Sequence, residues 1–277
     1  MIAIVTDSSA HLYRAEAERL GVTIVPMSYS LPGQPAFNES YMDDNGDFER
    51  VISQNIGLLR TSQATFSAFM SVFNDLVDSG AQVLCLTISS RLSGTYGNAR
   101  MSAKETDPEN IAVVDSLTTS GGLYLMILEA RRMANQGMGL HEIARELRSL
   151  RSRVRTTFTV DDITPLRRSG RLGSVRMSIS TILNIRPVLM CVDGCIVSRG
   201  VVRGRHEQYK TLINSLPATK CRCVVEGFMA ETQMAELKLR IEVAGHEVLL
   251  RPIGPVLGTH LGMGSLGVSW IDAPDAQ

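Results

Sequence analysis

Four short apolar runs constrain what this chain can fold into more than any other feature. IAIVT (2–6), VTIVP (22–26), VLCLTI (83–88) and IAVVD (111–115) are each too short for a helix, and three of them run directly into hydroxyl-rich stretches, TDSS, SSRLSGTYG and SLTTSGG. Continuous apolar runs without strict alternation read as strands buried on both faces, the condition of a parallel sheet covered by helices. LYLMILEARRMANQG (123–137) and LHEIARELRSL (140–150) carry helical apolar spacing, with glycines able to end one helix before the next begins. The order strand, polar loop, helix predicts an α/β fold, in which open sheets place their sites at the carboxyl ends of the strands.

From about residue 155 the texture changes. FTVDDI, PVLMCV, CIVSRGVV, CRCVVEGF and HEVLLRPI are strand-like, VDG (192–194) predicts a tight turn, and helices are expected over 206–216 and 230–244. The expectation is a two-domain α/β protein: an N-terminal parallel-sheet domain over 1–155 and a C-terminal α/β domain over 156–277 with a mixed or antiparallel sheet. With no low-complexity linker between them, the two parts should pack closely, and their interface is the default pocket.

The chain has 277 residues, 44% of them hydrophobic, with 28 basic against 28 acidic side chains, so no overall charge selects nucleic acid as a partner. The start MIAIVTDSSA lacks the basic region and apolar core of a signal peptide, and no run approaches the ~18 apolar residues of a spanning helix, which predicts a cytoplasmic protein. Five cysteines, an odd number, fit a reduced compartment. Cys191 with Cys195, and Cys221 with Cys223, read as small hydrophobes on strand faces and not as metal ligands. His141, His206 and His246 are each followed by glutamate, but none has a second histidine four residues on, so no metal site is expected. No cofactor is expected either.

GMGSLG (262–267) spells the G-x-G-x-x-G of dinucleotide-binding folds. Only ten residues follow it, too few for the receiving helix and distant acid of that motif, and Pro274 discourages a helix. The glycines around His260 instead read as a backbone that approaches something closely.

Hydroxyl clusters stand at the predicted strand ends: Thr6, Ser8 and Ser9; Thr61 and Ser62; Ser89, Ser90, Ser93 and Thr95; Ser116 and Thr118. Each alone reads as helix capping. Together with glycine amides and His260 they suit an anion held by neutral donors. Ser93, Asp115 and His260 also follow the chain order of an α/β-hydrolase triad, which keeps open a serine hydrolase of lipid esters or acyl phosphates using Ser93 and His260. Arg91 stands where the nucleophile elbow requires glycine, against that alternative. RELRSLRSRVR (145–155) reads as a solvated helix face, whereas RRSGRLGSVR (167–176) and RGVVRGR (199–205) interleave arginine with small residues in a way that brings guanidinium forks to an anion or an acidic partner.

TDSS (6–9), TSQ (61–63), SSRLSGTY (89–96), VVDS (113–116), SGRLG (169–173), LNIRPVL (183–189), VRGR (202–205) and GTHLGMGSLG (258–267) occur in one order across almost the whole chain. In this the chain resembles the DegV family, bacterial fatty-acid-binding proteins that include the binding subunits of fatty acid kinase. The resemblance implies segment exchange between the two domains, with the 254–270 segment returning to the site. It implies a fatty acid between the domains, its carboxylate held by Thr61 and Ser93 with Gly94 and His260 at the head group. It also implies Arg171 and Arg203 as contacts for phosphate or for a separate ATP-dependent kinase that makes acyl phosphate, with transient membrane contact a further implication. Ala64 and Thr65 after TSQ, Arg91 in SSRLSG and the MSISTI stretch depart from the family pattern and bear on pocket shape.

Overall fold

The computed structural model describes residues 1–55, 57–172 and 185–274. MSISTI, Gly173 and the first two residues of LNIRPVL lie outside them. The first half of the chain supplies β1 (Ile2–Asp7), α1 (Arg14–Leu20), β2 (Val22–Val25), β3 (Met27–Ser30), β4 (Phe37–Glu39), α2 (Phe48–Gln54), β5 (Arg60–Ser62), α3 (Phe66–Asp78), β6 (Gln82–Thr87), α4 (Thr95–Thr106), β7 (Ile111–Asp115), α5 (Ser120–Asn135) and α6 (Leu140–Leu150). The second half adds β8 (Val154–Thr159), α7 (Thr164–Ser169), β9 (Ile185–Val192), β10 (Cys195–Arg203), α8 (Gly204–Ser215), β11 (Arg222–Phe228), α9 (Glu231–Val243), β12 (Glu247–Pro252), α10 (Pro255–Leu261) and β13 (Ser265–Ile271).

The four apolar runs are the four strands of one parallel sheet, ordered β2-β1-β6-β7. Its two faces are covered as the buried runs require: α3 and α4 contribute to the core on one face, and α1, α5 and α6 to that on the other. The chain leaves β1 toward β2 on one side and returns to β6 on the other, so the loops after β1 and β6 diverge at a topological switch point. TDSS and SSRLSGTY are those two loops.

A six-stranded sheet, ordered β10-β9-β8-β13-β11-β12, draws all its strands from residues 154 to 271. It is mixed: β11 and β12 run parallel and the other pairs antiparallel. The predicted turn between β9 and β10 is the two-residue Asp193-Gly194, both at positive φ (48° and 79°), the backbone that matches hairpin twist.

Two features depart from the sequence reading. The hydroxyl-rich RTS is not the end of a parallel strand but β5, which pairs with β3 in a separate three-stranded antiparallel sheet, β4-β3-β5. The C-terminal glycine stretch, read only as a closely approaching backbone, is divided between a helix and a strand. Residues 255–261 form α10, and 265–271 form β13 at the centre of the mixed sheet, so Gly267 pairs with Phe158 and Glu226 inside a strand. Between the edge strand β12 and the central strand β13, α10 crosses to pack on α2, β3 and β5 from the first half and α7 from the second. That excursion carries His260 to the first half's polar loops.

Candidate functional site

The site is anchored at the switch point. The buried Asp7 carboxylate ties the ends of the two diverging strands together: Oδ1 accepts from the Ser9 amide (3.0 Å) and hydroxyl (2.6 Å), and Oδ2 accepts from the Ile88 amide (2.7 Å). Burial pushes its pKa up, opposed by these hydrogen bonds. After β6 the chain turns tightly, with the Leu92 and Ser93 amides donating to the Ser89 carbonyl, and enters α4 at Gly94. The Ser93 hydroxyl lies 2.9 Å from Thr95 Oγ1 and accepts from the Thr95 amide at 3.3 Å, so its place is set by the first turn of the helix.

The TSQ segment docks on the same turn. The Ala64 amide donates to Thr95 Oγ1 (3.3 Å), and Asn98 Nδ2 donates to the Ala64 carbonyl (2.8 Å). A Cβ at position 94 would stand 2.0 Å from Gln63 Oε1, so the Gln63 side chain uses space that only glycine leaves there. Thr61, one residue of β5, is 2.8 Å from His260 Nε2 on α10. Burial, and secondarily the Arg171 charge, lower the His260 pKa to about 4, which makes it a neutral imidazole near pH 7. In the tautomer with hydrogen on Nε2, His260 donates to Thr61 Oγ1 and leaves the threonine proton available for another acceptor.

These side chains stand at one part of a cavity of about 350 Å³. Thr61, Gln63, Ser93, His260 and Arg171 are its polar lining here. Much of the rest is apolar, drawn from the first half (Met27, Ile88, Leu92) and the second (Phe158, Ile196, Leu257). A second cleft of about 600 Å³ shares Thr61, Arg171 and His260 with the first and adds Arg60 and Arg168. The three shared residues therefore stand between the largely apolar cavity and a second cleft lined by both arginines and the carboxylates of Asp161 and Asp162. Among the described residues, no group of three His, Cys, Asp or Glu side chains is placed to hold a metal ion.

The DegV family model, whose description is uncharacterised protein, matches residues 1–273. The chain belongs to the DegV family. It is 29% identical to a DegV domain-containing protein of Halalkalibacterium halodurans over 97% of this chain and 98% of that one. Among solved structures it is similar to a DegV lipid binding protein of Thermotoga maritima (25% identity, TM-score 0.88, 98% of each chain). It is also similar to a Thermus thermophilus DegV family protein described for its fatty acid binding (28% identity, TM-score 0.86, 98% of this chain and 99% of that one).

In this DegV protein, four of the sequence-predicted positions come together: Thr61 with His260, Ser93 beside the capping Gly94, and Thr61, Ser93 and His260 on one cavity. Arg171 lines that cavity and the second cleft, its guanidinium donating to the Leu92 and Ser169 carbonyls. Arg203 is elsewhere, at the exposed end of β10 where α8 begins, and lines neither space.

The hydrolase triad is not assembled. His260 Nε2 is engaged by Thr61 and Ser93 by Thr95, while Asp115 Oδ1 accepts from the Ser90 and Leu117 amides and holds its own loop. Sequence reasoning missed Glu226, a buried carboxylate on β11 that also lines the cavity. One acidic residue inside the apolar run CRCVVEGF was the available signal, since a charge in a central strand breaks the local pattern.

Proposed function

We propose that this protein binds a long-chain fatty acid in the 350 Å³ cavity, with the carboxylate held by Thr61, Ser93, the Gly94 region and His260. The observation that carries this reading is the division of one cavity into an apolar part and a cluster of hydrogen-bond donors, neutral but for Arg171. A volume of this size is within the range of small-ligand sites. About fourteen methylenes at ~0.8 kcal/mol each give on the order of 10 kcal/mol of gross transfer free energy, so the tail supplies affinity. The hydroxyls satisfy and orient a carboxylate that would be costly to bury unpaired. The lipid-binding and fatty-acid-binding relatives support the same ligand class.

The finer proposal is that the carboxylate is presented to a separate ATP-dependent kinase and leaves as acyl phosphate. The second cleft supports it: Arg60, Arg168 and Arg171 bring cationic donors beside Thr61 and His260, against the carboxylates of Asp161, which pairs with Arg186, and Asp162. Arg171 is the proposed phosphate contact and the exposed Arg203 a proposed kinase contact. The organisation we propose for this work divides the chain at residue 155, with 254–270 crossing back. Free thiols at all five cysteines support a cytoplasmic setting.

The test is native mass spectrometry of the freshly purified protein before and after denaturation. A stoichiometric fatty acid released on denaturation is the expected result. An empty protein that takes up no added fatty acid would sink the reading.

A further inference from the structure

Two arginine-rich stretches, RELRSLRSRVR (145–155) and RGVVRGR (199–205), meet in a third cleft of about 600 Å³, which none of Thr61, Ser93 and His260 lines. Arg148 reaches it from the last turn of α6, Arg151 from the short turn that follows, Arg155 from β8 and Arg199 from β10. Residues 145–155, expected as a solvated helix face, thus share a concavity with the β9–β10 hairpin of the second half.

Arg155 is paired with Asp272 at 2.8 Å, whereas Arg148, Arg151 and Arg199 make no ion pair among the described residues. Neutral acceptors hold these three instead. Arg148 Nη2 donates to the Val113 carbonyl (3.2 Å), Arg151 Nη1 to the Asp115 carbonyl (2.8 Å) and Arg199 Nε to Met190 Sδ (3.1 Å), which leaves each fork with further N–H donors. Asp193 supplies the one carboxylate among the described lining residues, so three cations stand against it. A cation at a helix end is ordinary and accounts for Arg148. It does not account for Arg199, where the β9–β10 register shifts: Ser198 pairs with Leu189 and Gly200 with Val188, so Arg199 is the extra residue of a β-bulge, a device that re-aims a side chain. Leu117, Met190 and the exposed Val192 supply apolar surface beside the arginines.

We propose that this cleft is a binding site for a small soluble organic diphosphate, with Arg148, Arg151 and Arg199 taking the linked phosphate groups and Leu117, Met190 and Val192 the uncharged remainder. Guanidinium forks held at fixed angles suit phosphate oxygens, and a single carboxylate would leave two of the three cations unmatched. The concavity favours a small molecule over a flat lipid surface. The site stands independently of the fatty-acid reading of the cavity.

The probe is inorganic pyrophosphate, titrated calorimetrically into the full-length protein at about 0.15 M salt, where loose surface attraction is screened. Orthophosphate and sulfate are the comparators. Pyrophosphate binds saturably and at least tenfold tighter than either, and Arg148→Gln with Arg199→Gln weakens it tenfold or more. Arg168→Gln, which removes a cation from the cleft beside His260, leaves it within twofold. Should the double variant fail to fold, Arg199→Gln alone weakens pyrophosphate at least threefold. Binding no tighter than sulfate would mean an adventitious ion only and overturn the site. Loss in Arg168→Gln with no loss in the double variant would move the anion to the head-group cleft and overturn it equally. If pyrophosphate does not bind but the protein sediments with phosphatidylglycerol vesicles, and loses this with Arg148 and Arg199, the cleft is a membrane contact and the diphosphate site falls.

Discussion

His260 Nε2 lies 2.8 Å from Thr61 Oγ1, a contact between residues 199 positions apart that closes the polar part of the cavity. It forms because α10 leaves the mixed sheet between β12 and β13 and crosses to β5. The pair makes Thr61 dependent on the second half of the chain for its orientation. Removing either partner should act on binding more than on stability, since both groups are only partly buried.

Thr61→Ala together with Ser93→Ala is expected to weaken fatty-acid binding by about 100-fold or more, the loss of two hydrogen bonds to a charged group at roughly 1.5–3 kcal/mol each. Thermal stability should change little. Displacement titration gives the affinity and circular dichroism the midpoint. Wild-type affinity in the double variant would remove these residues from the head-group role.

His260 predicts an acid limb in stability. Its ordinary pKa of 6.5 falls to about 4 in the folded protein, so the unfolded chain binds more protons between those values. Stability is therefore full above about pH 6.5 and declines as pH falls toward 4, by on the order of 1–3 kcal/mol. Urea midpoints measured across this range should fall less in His260→Asn than in the parent. Parallel curves would mean that the imidazole is not held neutral by its surroundings.

Glu39 predicts the opposite limb. It is fully buried, it accepts from Ser8 Oγ at 3.0 Å, and the Val256 amide at the start of α10 also bonds to it. Burial dominates and raises its pKa from 4.5 to about 8, so the folded state keeps a proton that the unfolded chain releases. This contribution is complete below about pH 4.5 and is lost as pH rises to about 8, a change on the order of a few kcal/mol. Glu39→Gln, neutral throughout, should be more stable than the parent at pH 8.5 and close to it at pH 5. Equal denaturation midpoints at both pH values would contradict a protonated Glu39.

How far the sequence revealed this arrangement depended on whether the signal was local. β1, β6 and β7 were legible because strands buried on both faces must be apolar throughout, and the loops after them were legible because hydroxyls gather where helices begin. β13 was not, since Gly262, Gly264 and Gly267 mask a strand whose partners lie about forty or more residues away. β3, β4 and β5 are short and pair only with one another, so they show no period to read. Thr61, Ser93 and His260 stand out locally only as members of hydroxyl and glycine clusters, and their selection as one head-group set rests on the DegV motifs, because they meet only after α10 crosses over. Glu226 escaped for the related reason that its cavity-facing role is a property of the two sheets together.

Gly258 offers a direct test of that crossing. It lies on α10 two residues before His260, is buried, and would place a Cβ 2.3 Å from Phe228 Cε2 and 2.5 Å from Phe228 Cζ. Phe228 cannot yield easily: it is fully buried and stacks on Phe48 with ring centroids 6.2 Å apart. Gly258→Ala therefore forces α10 outward, because a helix gains from alanine over glycine by up to about 1 kcal/mol but the overpacked contact costs roughly 1–3 kcal/mol. The expected result is a net loss of stability together with weaker fatty-acid binding, as His260 is carried away from Thr61. Gly258→Ala with Phe228→Leu, which reopens the space, should recover part of the affinity. A single variant that is more stable than the parent and binds as well would show that α10 does not sit against Phe228 as described.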